Sequence, residues 1–425
     1  MPLFVSPFPT TVGVPFDELV KPEVVTPGYG PGDRTDPFWS MVWPDSSGGP
    51  SVGWRSLSAE RAMTDAGVSF VSHRSSERKV DEARRMLARR RSRLTTFATI
   101  NLWRTITSQQ LVAMQARTSL NTHRADDISL LFDAELIQRG RFFYDGILIA
   151  GYPEIFRPDP ASATADFSHL RYADWLGATL GGPFVRGHQY DRHNVLMTEL
   201  SLRAAELTPL RSVLGEAAAA WPRIFGSELA PNPHRVGDGV WVREDGLKIL
   251  VEMSASVTPA TAVKIDQLAE LLARDKSKSV IVLFVAATTK AMKTQVDVAH
   301  LLRRAVKKSA HSSRTRILAD VEDRMIVAKW EDWFPGPGLA SYEFVQLRGR
   351  HYDAKEDDWR SIDLLDPYET PFEHAEDVNT EEMMTNLNSV LGVPHWMQNG
   401  RTTDFDGWLL EQSGFAELTA KTGLI

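Results

Sequence analysis

The stretch His234–Ala287, HRVGDGVWVREDGLKILVEMSASVTPATAVKIDQLAELLARDKSKSVIVLFVAA, decides how the chain is read. VGDGVWV alternates apolar and small or polar residues, the pattern of a strand with one face buried. EDG marks a tight turn, and LKILVEM is the returning strand. Thr258 and Pro259 have the chemistry of an N-cap and a first helical residue, so the spacing predicts a helix running to about Arg274. SVIVLFVAA is a continuous apolar run bounded by Lys and Thr, as expected of a strand covered on both faces. Upstream, HQYDRHNVLMTELSLRAAEL is periodic as an amphipathic helix, and the Ala-rich EAAAAW suggests more helix before the hairpin. The order is therefore helix, strand, hairpin, strand, helix, strand.

Two acids punctuate this stretch. Asp238 sits on the first hairpin strand and Glu252 at the end of the second. Carboxylates on adjacent strands can hold a divalent cation such as Mg²⁺ between them, and such a metal polarises a phosphate and acidifies a bound water. The arrangement resembles the PD-(D/E)xK nuclease core. The resemblance implies a lysine two residues after the second acid, to orient the water and offset charge. That position is Ser254, so the expected catalytic set is Asp238, Glu252 and a lysine from elsewhere. Lys264 on the following helix and Lys248 are the candidates, and Glu199 or Glu206 from the preceding helix could complete the metal shell. A turn-forming Asp between Gly237 and Gly239 and a solvated strand-end Glu are the plain alternative.

Residues 94–150 read as three helices and a hairpin. LTTFATINLWRTI is the first helix, and TSQQLVAMQ the second, with Thr107 or Ser108 as its cap. THRADDISLLFDAELI is a longer third helix with Ile128, Leu131, Leu136 and Ile137 at core spacing. RGRFFYDGILIAG is a hairpin turning at Asp145-Gly146. This is the order of a winged helix-turn-helix, a unit that places its third helix in the major groove. Asp126, Asp127, Asp133 and Glu135 make that helix acidic, so DNA contacts fall to Arg117, His123, Arg124, Arg139 and Arg141; docking of another protein is the alternative. Just upstream, Arg74–Arg93 holds nine basic residues against three acids, and Arg84, Arg85, Arg89, Arg90, Arg91 and Arg93 would give a helix a strongly positive end for phosphates. A second basic helix is expected near Arg303, Arg304, Lys307 and Lys308, with Arg314 and Arg316 beyond it.

The fold class expected is thus an α+β or α/β multidomain chain: a winged helix-turn-helix followed by a restriction-endonuclease-like mixed-sheet domain. Residues 1–70 form a Pro/Gly/Trp-rich irregular arm, 71–93 a basic helix or linker, 94–150 the winged helix, 185–335 the nuclease-like domain, and 336–425 an acidic segment. Gly151–Gly187 reads as loop. From His351 onward there are 16 Asp and Glu against 4 Lys and Arg, a charge of −12, which leaves +5 on the rest of a chain whose total is −7. A mildly basic body suits an anionic partner. The absence of cysteine excludes disulfides, thiolate catalysis and cysteine-bound zinc. No secretory signal or membrane-length apolar run is evident, so a soluble, cytoplasmic protein is expected. A phosphate-binding loop and HExxH are also missing, which removes support for ATP hydrolysis and that class of metalloprotease.

TSQQL, the third helix with its hairpin, HQYDRHNVLMTELSLR and LVEMSAS together resemble the actinobacterial replication-relaxation proteins, over roughly residues 90–290. In that family the strand ends in an acid, a spacer, Asp, Arg and Gly; Glu252 matches and Ser254-Ala255-Ser256 does not. The resemblance implies DNA transactions on plasmids, phages or other mobile elements. Three functions stay open: DNA binding with a degenerate nuclease domain, a metal-dependent endonuclease, and a non-enzymatic assembly protein that engages partners through its Trp-rich arm or acidic segment.

Overall fold

The computed structural model describes residues 12–21, 23–40, 51–67, 77–122, 125–180, 191–232, 234–288, 297–312, 315, 318–372 and 390–398. The chain is mixed α and β. Its largest sheet has seven strands, in the spatial order Asp358–Asp363, Arg348–Asp353, Met325–Lys329, Val280–Ala286, Lys248–Ser254, Gly239–Val242 and Ser212–Gly215. The three middle strands run parallel and every outer pairing is antiparallel. All seven residues of Val280–Ala286 are buried, which is why that stretch has lost polar alternation. The helix Asp191–Leu207 packs beside Ser212–Gly215, while Pro259–Arg274 and Val298–Ala310 pack against each other.

The order read from His234–Ala287 and its preceding helix is present as a helix, two antiparallel strands, a helix and a parallel strand, and Ser212–Gly215 adds an antiparallel strand that the sequence reading did not place. Thr258 caps its helix reciprocally with Thr261, and Pro259 follows at the first helical position. EAAAAW forms a single 3₁₀ turn, Glu216–Ala218, and the short helix Trp221–Phe225 follows.

A second sheet is built around three helices, Arg91–Trp103, Ser108–Gln115 and Asp126–Asp133. Thr107 caps the second in a capping box with Gln110. The third is shorter than its apolar spacing suggested. Glu135 adopts a left-handed backbone (φ 56°) and Ile137 opens the strand Ile137–Tyr144, so Leu136 and Ile137 reach the core from outside the helix. The hairpin turns where expected, with Asp145 and Gly146 both at positive φ and Tyr144 paired with Ile147. Two elements were not anticipated. Within the stretch read as loop, Ile155–Pro158 is a strand bridging Ile137–Tyr144 and Ile106–Thr107, and Tyr172–Thr179 is a helix.

The arm is not irregular throughout. Ser51–Arg55 pairs with Ile137–Tyr144, and Leu57–Asp65 is helical. Gly140 makes that pairing possible, since a Cβ there would stand 2.8 Å from both Val52 and Ile155. Phe38 stacks on Trp330 at 5.0 Å. Arg34 reaches the helix Asp191–Leu207, pairing with Glu199 at 2.8 Å and Glu206 at 2.6 Å. Arg203 joins Glu199 to Asp36, and all these side chains are buried or nearly so. The acidic segment likewise starts inside the fold. Arg348–Asp353 and Asp358–Asp363 complete the large sheet, and Trp103 donates to the Gly392 carbonyl at 2.9 Å. One hydrophobic cluster runs from Phe16 to Met397 through both sheets. Among the described residues no helix is long and apolar enough to cross a membrane.

Candidate functional site

The strand Lys248–Ser254 and the helix that follows it bring the key groups together at the carboxyl edge of the large sheet. The helix begins only a few residues after the strand ends, and its 3.6-residue period sorts its faces. Ile265, Leu268 and Leu272 are buried, while Ala260, Thr261 and Lys264 border an open cavity of about 660 Å³. From the second turn Lys264 Nζ reaches back to Glu252 Oε2 at 2.5 Å. Glu252 Oε1 is buried and has no hydrogen-bond partner among the described residues. Gly237 keeps the space beside it open, because a Cβ there would lie 2.4 Å from Leu250 and 3.4 Å from Oε1.

Asp238 enters from the neighbouring strand. Its backbone N–H donates to the Val251 carbonyl at 3.0 Å, and its Oδ2 accepts from the Met253 N–H at 2.7 Å. His193 Nε2, on the helix Asp191–Leu207, lies 3.0 Å from Asp238 Oδ1. Asp238, Glu252, Lys264, His193 and Glu216 all line the one cavity.

The local field separates the carboxyls. Burial works to raise Asp238, but the charges of His193 and Lys264 and its hydrogen bonds outweigh it and hold Asp238 down at about 2. Burial pushes Glu252 well above the ordinary carboxylate range; Lys264 opposes this and Asp238 adds to it. Burial likewise raises Glu216, against Arg104. Burial depresses His193 and Lys264, but the carboxylates beside them dominate and raise both.

Of the expected set, Asp238, Glu252 and Lys264 share the site. Lys248 does not: it sits at the opposite end of its strand and donates to the Ile224 carbonyl at 2.7 Å. Glu199 and Glu206 do not complete a metal shell either, because Arg34, Arg203 and Gln110 engage them in the core. Among the described residues no three His, Asp or Glu side chains converge as a ready-made metal cage. His193 and Glu216 lie outside the hairpin–helix pattern. Only the packing of their elements against the strands brings them in, and no sequence spacing marks them.

The arginines divide. Arg85, Arg89 and Arg90 are exposed and make no ion pair with described residues, and Arg91 is exposed but pairs with Asp174 at 2.7 Å. Arg84 donates to the Ala134 carbonyl at 3.0 Å beside Glu135. Arg117 pairs with Asp127 at 2.5 Å, and Arg139 grips Glu154 with two bonds of 2.9 Å, while Arg141 lies 3.9 Å from the same carboxylate. A DNA phosphate would have to compete with those partners. His123, Arg124, Arg314 and Arg316 lie outside the described residues. Two of the four acids are less repulsive than their sequence suggested: Asp127 in the third helix and Glu135 just beyond it are buried, and Arg93, Arg117, Arg61 and Arg84 neutralise them, while Asp126 and Asp133 stay exposed. No protein-family model, curated protein or solved structure matches the chain.

Proposed function

We propose that this chain binds DNA, in keeping with the replication-relaxation proteins of mobile elements that it resembles, through a winged-helix unit joined to a restriction-endonuclease-like core. The observation that carries this reading is the core itself: Asp238 immediately precedes the strand Gly239–Val242, Glu252 lies near the end of the adjacent Lys248–Ser254, and Lys264 reaches the same cavity from the next helix. In such an edge site the lysine, paired with Glu252 at 2.5 Å, would share its charge with a backbone phosphate, and His193 fixes Asp238 from the opposite side. The strand order of the smaller sheet supports the winged-helix half, and the exposed Arg85, Arg89 and Arg90 supply cations for the duplex. Because Ser254 stands where a nuclease keeps its lysine, the core serves as a second DNA-binding surface with hydrolysis weak or lost.

The orphaned Glu252 Oε1 favours a second reading, metal-dependent cleavage. Mg²⁺ commonly takes only one or two carboxylates and completes its shell with water and substrate phosphate, so Asp238 and Glu252 fit it without a three-residue cage. When bound, the ion supplies Lewis-acid polarisation of the phosphate. The chain's own part is to present both carboxylates, balance their charge through Lys264 and hold Asp238 in place. Incubation with supercoiled plasmid and Mg²⁺ or Mn²⁺ decides between the readings. The first predicts retention of intact plasmid; nicking that vanishes in Glu252→Ala overturns it in favour of the second.

A further inference from the structure

The carboxyl edge of the large sheet carries a second cavity, of about 380 Å³, that the site above does not use. Arg303, Lys329, Arg348 and Arg350 line it. Lys329 is paired with Glu331 at 2.9 Å, but none of the three arginines has an ion pair or a side-chain hydrogen bond among the described residues. Arg348 Nε is moreover buried without a partner. Asp297, Asp332 and Glu343 also border the cavity. Asp297 accepts from the His300 N–H as a helix cap, and no acid of the three stands within ion-pair distance of an arginine. A buried guanidinium N–H left unpaired costs free energy that an oxyanion would recover through charge-assisted, forked hydrogen bonds.

The register ties this cavity to the first. Ser254 lies level with Ala286, Ala286 with Lys329, and Val327 with Arg350, so the two cavities share one edge. Three strand spacings separate Lys248–Ser254 from Arg348–Asp353, about 14 Å at ~4.8 Å each. Along a duplex that rises about 3.4 Å per nucleotide, this is about four base pairs.

We infer that Arg303, Arg348 and Arg350 form a second backbone-phosphate site, which holds the same DNA duplex whose phosphate faces Lys264. The inference rests on the DNA-binding reading above. The test is the salt dependence of binding to a short duplex, measured by fluorescence anisotropy for the wild-type chain, for Arg303→Gln/Arg350→Gln and for Arg350→Lys. The double variant should lower the slope of log K against log salt by about one for each phosphate that is no longer neutralised, equally on unrelated sequences, while Arg350→Lys keeps the wild-type slope. Arg350→Gln alone, at an exposed position, reads the same reduction should the double variant fail to fold. A folded double variant with the wild-type slope overturns this site and leaves DNA binding standing. A wild-type chain that binds no duplex overturns the DNA reading and this site with it.

Discussion

At the scale of single residues two contacts hold the candidate site together, Lys264 with Glu252 and His193 with Asp238. Each has a sign that can be checked. A raised imidazole means that the His193–Asp238 contact stabilises the fold fully below the ordinary histidine value of 6.5 and stops doing so as pH rises through the higher folded value. On the acid side, Asp238 contributes stability above 3.8 that is lost as pH falls through about 2. In Asp238→Asn the main raising charge is gone while burial remains, so the His193 titration followed by NMR should drop below its wild-type position; an unmoved titration would sink the pairing. Lys264→Met leaves Glu252 buried without its cation and should cost roughly 2–3 kcal/mol in urea unfolding at a pH above the raised Glu252 titration and less below it, where Glu252 takes up a proton, with Glu252→Gln restoring some of it. The Glu252 and Lys264 candidates were legible because a strand end and a helix start fix both positions. His193 and Glu216 were not, since their proximity depends on which strand the helix Asp191–Leu207 packs against.

Periodicity served the regular elements well. The strands and helix of His234–Ala287 and the Asp145-Gly146 hairpin follow from alternation, capping residues and turn chemistry. It failed where an element is short and held by tertiary partners. Ile155–Pro158 has only four residues and is a strand because two neighbours supply its hydrogen bonds. The arm is the larger case. Its composition reads as irregular, yet Arg34 satisfies two carboxylates of the helix Asp191–Leu207 at once. Arg34→Met would leave Glu199 and Glu206 buried with Arg203 and Gln110 as the partners nearby among the described residues, a destabilisation expected to reach about 3 kcal/mol or more, read as a lowered unfolding midpoint. A variant of wild-type stability would show that the arm contributes nothing to holding that helix.

Seen whole, the molecule separates its charge by position. The last 75 residues carry −12 against +5 elsewhere. Part of that acidic stretch is nevertheless built into the large sheet, because Tyr352 and Ile362 bury themselves there while the acids stay on the turn and edge. The two cavities share one edge of this sheet, and among the described residues the arginines without an ion pair include Arg303, Arg348 and Arg350 at that edge and Arg85, Arg89 and Arg90 on the Glu77–Arg85 helix and the turns after it. Function was the least legible part of the sequence. The proposed phosphate-bearing partner rests on charge and topology alone, because Ser254 removes the residue that would have named the reaction. The central claim, that this chain holds DNA by its phosphates, is tested most directly by the salt dependence of duplex binding for the wild-type chain beside Arg85→Gln/Arg89→Gln/Arg90→Gln. The account predicts that log K falls linearly with log salt, and that the triple variant binds more weakly with a shallower slope. A flat dependence, or no binding at low salt, would contradict it.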